Sequence, residues 1–209
     1  MAISCPDCGR EYDVTLFQFG RTIHCACGHR VGLEHRLTVP VPAERPRFIA
    51  DAMLGRLARW LRTLGYDTVY DDAIPDAELV RRALVEGRLI LTRDRKLFDE
   101  WRVDGGLVLR AEGTLEQLAE VAATFRLPPP ARLFTRCRVC NGVLEPAERD
   151  ALEDRVPARV WDRVQDFAQC PNCGRVYWEG SHTDRMRSVL ARVFPTSRET
   201  RTEERQPEP

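Results

Sequence analysis

The stretch that most constrains the fold lies between residues 47 and 97, where short apolar runs alternate with amphipathic segments. The run FIAD is followed by apolar side chains at helical spacing, then by DTVY, a second helical segment and RLILT. This order of strand, helix, strand, helix, strand predicts an α/β fold with a parallel sheet flanked by helices. Right-handed crossovers bring the carboxyl ends of such strands to one edge of the sheet.

Acidic residues occupy the positions that reach this edge. Asp51 follows the first strand, Asp76 opens the second helix and Asp94 follows the third strand. Like charges gathered together destabilise a purely structural site, whereas a divalent cation removes the repulsion. Hard oxygen ligands suit Mg²⁺ or Mn²⁺, and two such ions about 4 Å apart can support phosphodiester cleavage. The three aspartates are therefore predicted to be catalytic metal ligands.

Other acids compete for these roles. Asp76 has an alternative explanation as a helix N-cap, because aspartate is common at that position. Glu78 and Asp72 could then carry the second carboxylate instead. Asp99, one helical turn after Asp94, is a candidate for a fourth ligand.

Arginines provide candidate phosphate contacts. A basic stripe in the first helix lies opposite its apolar positions, and two further arginines flank Asp94. The stripe is either a solvated helix face or a rail for phosphates beside Asp51. The predicted substrate-binding residues are Arg56, Arg59, Arg93 and Arg95, with Arg62 also in the stripe. A second candidate nucleic-acid patch comprises Arg126, Arg132, Arg136 and Arg138.

The eight cysteines fall into four close pairs, and none is left over. Such pairs suit chelation of one ion by a tight turn, and disulfides are the poorer account in a chain with no export signal. Four thiolates leave no open position for water, so two structural Zn²⁺ sites are predicted. A histidine, His24 or His29, could replace one ligand of the first site. The first site comprises Cys5, Cys8, Cys25 and Cys27, and the second Cys137, Cys140, Cys170 and Cys173.

These patterns divide the 209-residue chain into four parts. An N-terminal zinc ribbon is predicted over residues 1–42, a catalytic domain over 47–130 and a C-terminal zinc ribbon with a helical insertion over 131–186. Residues 195–209 are predicted to be a disordered polar tail. The sequence contains neither an apolar run of membrane length nor a signal peptide, which predicts a soluble, cytoplasmic protein.

The overall charge argues against a strongly basic nucleic-acid binder, because 32 basic residues balance 32 acidic ones. Each zinc tetrathiolate adds roughly −2 when its metal is included, which makes the true balance acidic. Contacts with nucleic acid must therefore depend on local basic patches.

Three motifs together resemble one known family. The segments FIADAMLGRLARWLRTLGYDT, LILTRDRKL and CRVCNG with CPNCGRVYWEGSH are similar to the mut-seven C-terminal RNase family, a PIN-like domain with a built-in zinc ribbon. The resemblance covers about residues 47–186. It implies a PIN-like fold, a carboxylate pocket formed by Asp51, Asp76 and Asp94, zinc on the last four cysteines and ribonuclease activity. The N-terminal ribbon lies outside it.

The predicted function is a metal-dependent ribonuclease with RNA as its partner. The alternative is a zinc-ribbon adaptor that binds nucleic acid or the ribosome and has a weak or inactive acid pocket. Phosphoacceptor chemistry of the haloacid-dehalogenase type is disfavoured, because it needs D-x-D after the first strand and residues 51–53 are D-A-M.

Overall fold

The computed structural model describes residues 1–42 and 45–194, so the predicted tail at 195–209 lies outside the described residues. Within these ranges no helix has the length and apolar character needed to cross a membrane. The strands are β1 (Ala2–Ser4), β2 (Glu11–Asp13), β3 (Ile23–His24), β4 (Arg30–Val31), β5 (Leu37–Thr38), β6 (Phe48–Ala50), β7 (Thr68–Tyr70), β8 (Leu89–Thr92), β9 (Val103–Asp104), β10 (Gly106–Val108), β11 (Glu145–Ala147), β12 (Phe167–Gln169) and β13 (Val176–Trp178).

The α-helices are α1 (Gly55–Thr63), α2 (Asp76–Glu86), α3 (Leu97–Glu100), α4 (Thr114–Thr124), α5 (Ala158–Trp161) and α6 (Ser181–Val193). Three 3₁₀ segments cover Val14–Gly20, Ala52–Leu54 and Arg149–Arg155. The last of these and α5 form the predicted helical insertion between β11 and β12. Helix α1 ends where the chain turns at Gly65, whose φ of 84° is costly for residues with a Cβ.

The central sheet has four parallel strands in the order β10-β8-β6-β7. The chain leaves β6 through α1 towards β7 on one side, then crosses back through α2 to β8 on the other side of β6. The connections therefore diverge between β6 and β8, which makes the crevice beyond their carboxyl ends the usual ligand-binding position of an open parallel sheet.

Helices cover both faces of this sheet. Phe48 and Ala50 point to a core that contains Leu57 of α1, Leu118 of α4 and Leu190 of α6. Ile49 points to the opposite face, in a second core with side chains of α2 and α3, Leu79 and Leu97 among them. This arrangement confirms the predicted α/β fold with a parallel sheet between helices.

The N-terminal ribbon docks on the segment that follows α3 through main-chain contacts. Strand β5 pairs in parallel with β9. The Thr22 N–H donates to the Glu100 carbonyl at 2.7 Å, and the Arg102 N–H donates to the Gly20 carbonyl at 2.7 Å. These backbone bonds join residues 20–38 directly to the central domain.

The C-terminal ribbon, whose β11, β12 and β13 form an antiparallel sheet, docks beside β7. Asn141 donates to the Asp67 carboxylate at 2.7 Å and accepts from the Thr68 N–H at 3.1 Å. The guanidinium of Arg62 donates to the Val139 carbonyl at 2.7 Å and to the Thr68 carbonyl at 2.8 Å. Arg62 is only 4% exposed, so its placement in an exposed basic stripe was wrong. It anchors the ribbon instead.

Candidate active site

Asp51 and Asp94 flank the crevice between the carboxyl ends of β6 and β8. Asp51 directly follows β6, and Asp94 lies two residues after the end of β8. Asp51 is 6% exposed. The 3₁₀ turn Ala52–Leu54 begins directly after Asp51, which is its N-cap residue. The Asp51 carboxylate accepts from the Ala52 N–H at 2.6 Å, and this bond fixes the acid at the end of the strand.

A buried threonine connects the two acids. The Thr92 hydroxyl donates to the Asp51 carboxylate at 2.5 Å and accepts from the Asp94 N–H at 2.9 Å. The carboxylate of Asp94 accepts in turn from the Lys96 N–H at 2.8 Å. One side chain thereby fixes the orientation of Asp51 and the start of the loop that presents Asp94. Thr92 was not predicted as a site residue, although it is the first residue of the T-R-D motif.

Asp76 approaches the same crevice from α2. It is the first residue of that helix, and Pro75 occupies the N-cap position. Within the described residues its carboxylate accepts no hydrogen bond, so the capping explanation has no support. Burial, and then the charges of Asp51, Asp94 and Glu100, raise the pKa of Asp76. The charges of Asp51 and Asp94 are therefore close enough to affect the pKa of Asp76.

Glu100, at the end of α3, is a further acid whose charge raises the pKa of Asp76. It lies six residues after Asp94 and was not predicted from the sequence. Glu78, an alternative carrier of the second carboxylate, forms two hydrogen bonds of 2.7 Å with Arg81 on the surface of α2. That ion pair accounts for Glu78 without a metal.

The acids are nevertheless spread apart. Among residues 1–42 and 45–194, only the two four-cysteine groups place three or more potential ligand atoms all within 4.8 Å of one another. Ionised carboxylates repel one another when no cation lies between them, and this repulsion grows as they are withdrawn from water. The wider spacing of the aspartates agrees with that repulsion.

The cysteines form two compact groups, as predicted. The sulfur atoms of Cys5 and Cys27 are 3.6 Å apart, and those of Cys8 and Cys25 are 3.4 Å apart. In the second group the closest sulfur pairs, Cys137 with Cys173 and Cys140 with Cys170, are 3.5 and 3.3 Å apart. Disulfide sulfurs would lie about 2.05 Å apart, whereas ligands of one tetrahedral zinc lie roughly 3.8 Å apart.

Both groups can hold zinc through four cysteines. The histidine alternative is not supported for the first group, because His29 is bonded to the Asp7 carboxylate at 2.9 Å. Four sulfur ligands close the coordination sphere, so these sites are structural.

A cavity of about 440 Å³ is lined by Ala52 and Arg93, the chain neighbours of Asp51 and Asp94, although none of the three aspartates lines it. Three of the arginines singled out from the sequence line it: Arg56, Arg59 and Arg93. Arg93 lies 3.8 Å from Glu112, which also lines the cavity. Arg95 is exposed but is not among its lining residues. We call this space the acid-side cavity.

The arginines of the second predicted basic patch have different surroundings in the structure. Arg136 lies 3.8 Å from Asp67 and donates to the Asn141 carbonyl at 3.0 Å, so it helps to dock the ribbon. Arg138 lines a different cavity, and neither Arg126 nor Arg132 lines it.

Comparison with known proteins agrees with this architecture. Searches among curated proteins and among solved structures found no match. The family profile described as Mut7-C RNAse domain matches residues 46–190, which covers the parallel sheet, the acid crevice and the C-terminal ribbon but not the N-terminal ribbon. The chain belongs to the Mut7-C RNAse domain family.

Proposed function

We propose that this protein is a divalent-metal-dependent ribonuclease whose Asp51, Asp76 and Asp94 hold Mg²⁺ or Mn²⁺. The observation that carries the proposal is the convergence of these acids at the divergence point of the sheet, where Thr92 joins Asp51 to Asp94 and both charges raise the pKa of Asp76. Perturbed acids in a crevice are typical of catalytic sites. The family match supports RNA as the substrate.

The donor set fits a hard cation. Carboxylate oxygens with room for several waters are the ligands that Mg²⁺ and Mn²⁺ prefer. The Thr92 hydroxyl and the Ala52 N–H leave Asp51 lone pairs free to face a cation. When bound there, a divalent cation would supply an activated water and charge stabilisation for phosphodiester hydrolysis.

The side chains around the cation site would hold the substrate. Arg56 and Arg59 are exposed on α1 and line the acid-side cavity, so they can bind phosphates of the strand. Arg93 lies between Thr92 and Asp94 and can contact the phosphate next to the cleaved bond. Thr92 acts as a positioning residue, because it holds Asp51 without facing the substrate.

The test is RNA cleavage with and without Mn²⁺, on single-stranded and structured RNAs. Replacing Asp94 by Asn should reduce the rate by roughly 10²- to 10³-fold, a loss typical of removing one charge that stabilises a transition state. Asp162→Asn, which changes an exposed acid in the helical insertion, is the matched control and should cleave at the normal rate. Cleavage that needs no divalent cation, or that survives Asp94→Asn, would refute the proposal.

A second candidate is an RNA-binding adaptor with an inactive acid pocket. It is favoured by the wide spacing of the carboxylates and by a larger arginine-lined cavity that the C-terminal ribbon forms. Tight RNA binding without any cleavage in Mn²⁺ would select it. For either function we propose the cytoplasm as the location, because two four-cysteine metal sites fit a reducing compartment.

A further inference from the structure

A cavity of about 700 Å³ lies between α1 and the C-terminal ribbon. Four arginines line this ribbon cavity, Arg59, Arg138, Arg155 and Arg175, and no acidic side chain does. Within the described part of the chain none of the four lies within 4.0 Å of a carboxylate, although other arginines form such pairs. Unneutralised guanidinium groups gathered in one concave surface indicate an anionic ligand.

The negative charge of the nearby zinc site is too small to explain why four arginines gather here. A zinc tetrathiolate carries about −2, whereas the four arginines carry about +4. The Nε atom of Arg138 is also buried without a hydrogen-bond partner. A buried donor left unpaired costs free energy, which a shift of this side chain towards a ligand oxygen in the cavity would relieve.

Arg59 lines both the ribbon cavity and the acid-side cavity. The two cavities therefore adjoin at this side chain, and we refer to the pair as the groove. Trp178 lines the ribbon cavity and is half-buried, so part of its ring is open to a base. The volume suits one or two nucleotides of a single strand and not a helical duplex.

We propose that the C-terminal ribbon is part of the substrate site and that the ribbon cavity binds single-stranded RNA a few nucleotides away from the cleaved bond. The phosphates of this RNA contact Arg138, Arg155 and Arg175. Arg59 contacts the strand where it continues into the acid-side cavity. The assignment of the cleaved bond depends on the proposed ribonuclease function, whereas the binding itself does not.

The test measures binding of fluorescent single-stranded RNAs to the full chain carrying Asp94→Asn, which prevents cleavage. The double change Arg155→Gln and Arg175→Gln removes two exposed cations. The Gly174 carbonyl, to which Arg155 donates, keeps its bond from Gln169 at 3.1 Å. Each lost contact should lower the slope of log K against log salt by about 0.7. Two contacts predict a change of about 1.4 and a roughly 25-fold weaker affinity at about 0.1 M salt.

Length dependence locates the effect. The double variant should bind an RNA of roughly 10 nucleotides more weakly than the protein with both arginines does. A trinucleotide that fills only the acid-side cavity should bind both proteins with the same affinity. Arg185→Gln with Arg192→Gln, two exposed arginines of α6 that line neither cavity, is the charge-matched control and should leave both affinities unchanged. Zinc content and melting temperature, measured for every variant, identify any that has lost the ribbon. If the double variant loses zinc, Arg175→Gln alone replaces it, with a slope change of about 0.7.

The two proposals can fail separately. A wild-type protein that cleaves RNA while the folded ribbon-cavity variant binds long RNA with unchanged affinity and salt slope overturns this inference and leaves the ribonuclease intact. A protein that never cleaves but shows the predicted loss supports the RNA groove and overturns the ribonuclease. Loss of binding to poly-glutamate but not to RNA would assign the cavity to acidic proteins and overturn the inference.

Discussion

The cysteine groups and the aspartate cluster are both suited to hold cations, but the chain prepares them differently. In each cysteine group the four sulfur ligands lie within 4.8 Å of one another, and two of the four residues are buried. The carboxylates of Asp51, Asp76 and Asp94 reach the same crevice without closing to that distance, and Asp76 remains exposed.

Proton sharing explains the difference. The Cys27 N–H lowers the pKa of Cys25 to about 6. The hydrogen bond with Cys25, in contrast, raises the pKa of Cys27 to about 12 although the backbone of His29 lowers it. A thiolate can thus be held by neighbouring thiols before metal binds. Carboxylates carry no such donors among themselves, and like charges repel one another when no cation lies between them. The cysteine sites are closed and structural, whereas the proposed acid site is open and suited to exchange.

The strongest test of this contrast is metal removal. A chelator that strips zinc should unfold both ribbons, because apparent binding free energies of structural zinc are about 10–16 kcal/mol and belong to folding. Loss of the C-terminal ribbon should also release Asn141 from Asp67 and Thr68. Circular dichroism with zinc quantification follows both events.

Removal of Mn²⁺ alone supplies the comparison. A weak chelator that takes Mn²⁺ but not zinc should stop cleavage and leave the spectrum unchanged. A ribbon that stays folded without zinc would contradict the structural assignment. Unfolding on loss of Mn²⁺ would show that the acid site also supports the fold.

A smaller effect is expected at the threonine that orients the acid site. Replacing the fully buried Thr92 by Val keeps its shape but removes the hydroxyl between Asp51 and Asp94. Mn²⁺ affinity should fall about 10- to 100-fold, as is typical when a group that orients a ligand is lost. The unfolding free energy should fall by about 1–3 kcal/mol, because the Asp51 carboxylate loses a buried partner.

Thr92→Ser is the matched control, since serine retains the hydroxyl. It should keep the Mn²⁺ affinity measured by calorimetry and lose only the packing of one methyl group. Equal Mn²⁺ affinity in the valine variant and the wild type would show that Asp51 needs no orientation by Thr92.

Local patterns predicted the parts of the molecule that depend on neighbours in sequence. The alternation of strands and helices predicted the parallel sheet. This prediction alone placed Asp51 and Asp94 at one edge of the sheet. Close cysteine spacing likewise predicted the two thiolate groups.

Contacts between distant segments were not predictable in this way. Arg62 has the same helical spacing as Arg56 and Arg59, but the ribbon covers the last turn of α1 and buries Arg62 alone. Helix α6 was not predicted, and its Leu190 and Val193 pack on a core formed by residues 48–133 of the chain. Arg155 and Arg175 join a cavity with Arg59 only after the ribbon has folded.

The smallest expected effect concerns the stability cost of keeping the acids together. Burial, with the charges of Asp51, Asp94 and Glu100, raises the pKa of Asp76 above 3.8. A carboxyl group with a raised folded-state pKa stabilises the fold below its unfolded pKa and loses this contribution as the pH rises through the folded pKa. Ionised Asp76 therefore destabilises the metal-free protein at pH 7. Asp76→Asn should stabilise it by about 0.5 kcal/mol, a small gain because the side chain is exposed and screened.

Urea denaturation at pH 7 measures this gain, which should shrink as the pH is lowered towards the pKa of Asp76 and in about 1 M salt. The same variant should bind Mn²⁺ more weakly, so stability and metal affinity move in opposite directions. Asp162→Asn, in the exposed helical insertion, is the control and should change neither. A metal-free protein destabilised by Asp76→Asn would mean that Asp76 supports the start of α2. Charge repulsion at the acid site would then have no measurable cost in stability, and this difference from the thiolate sites would not hold.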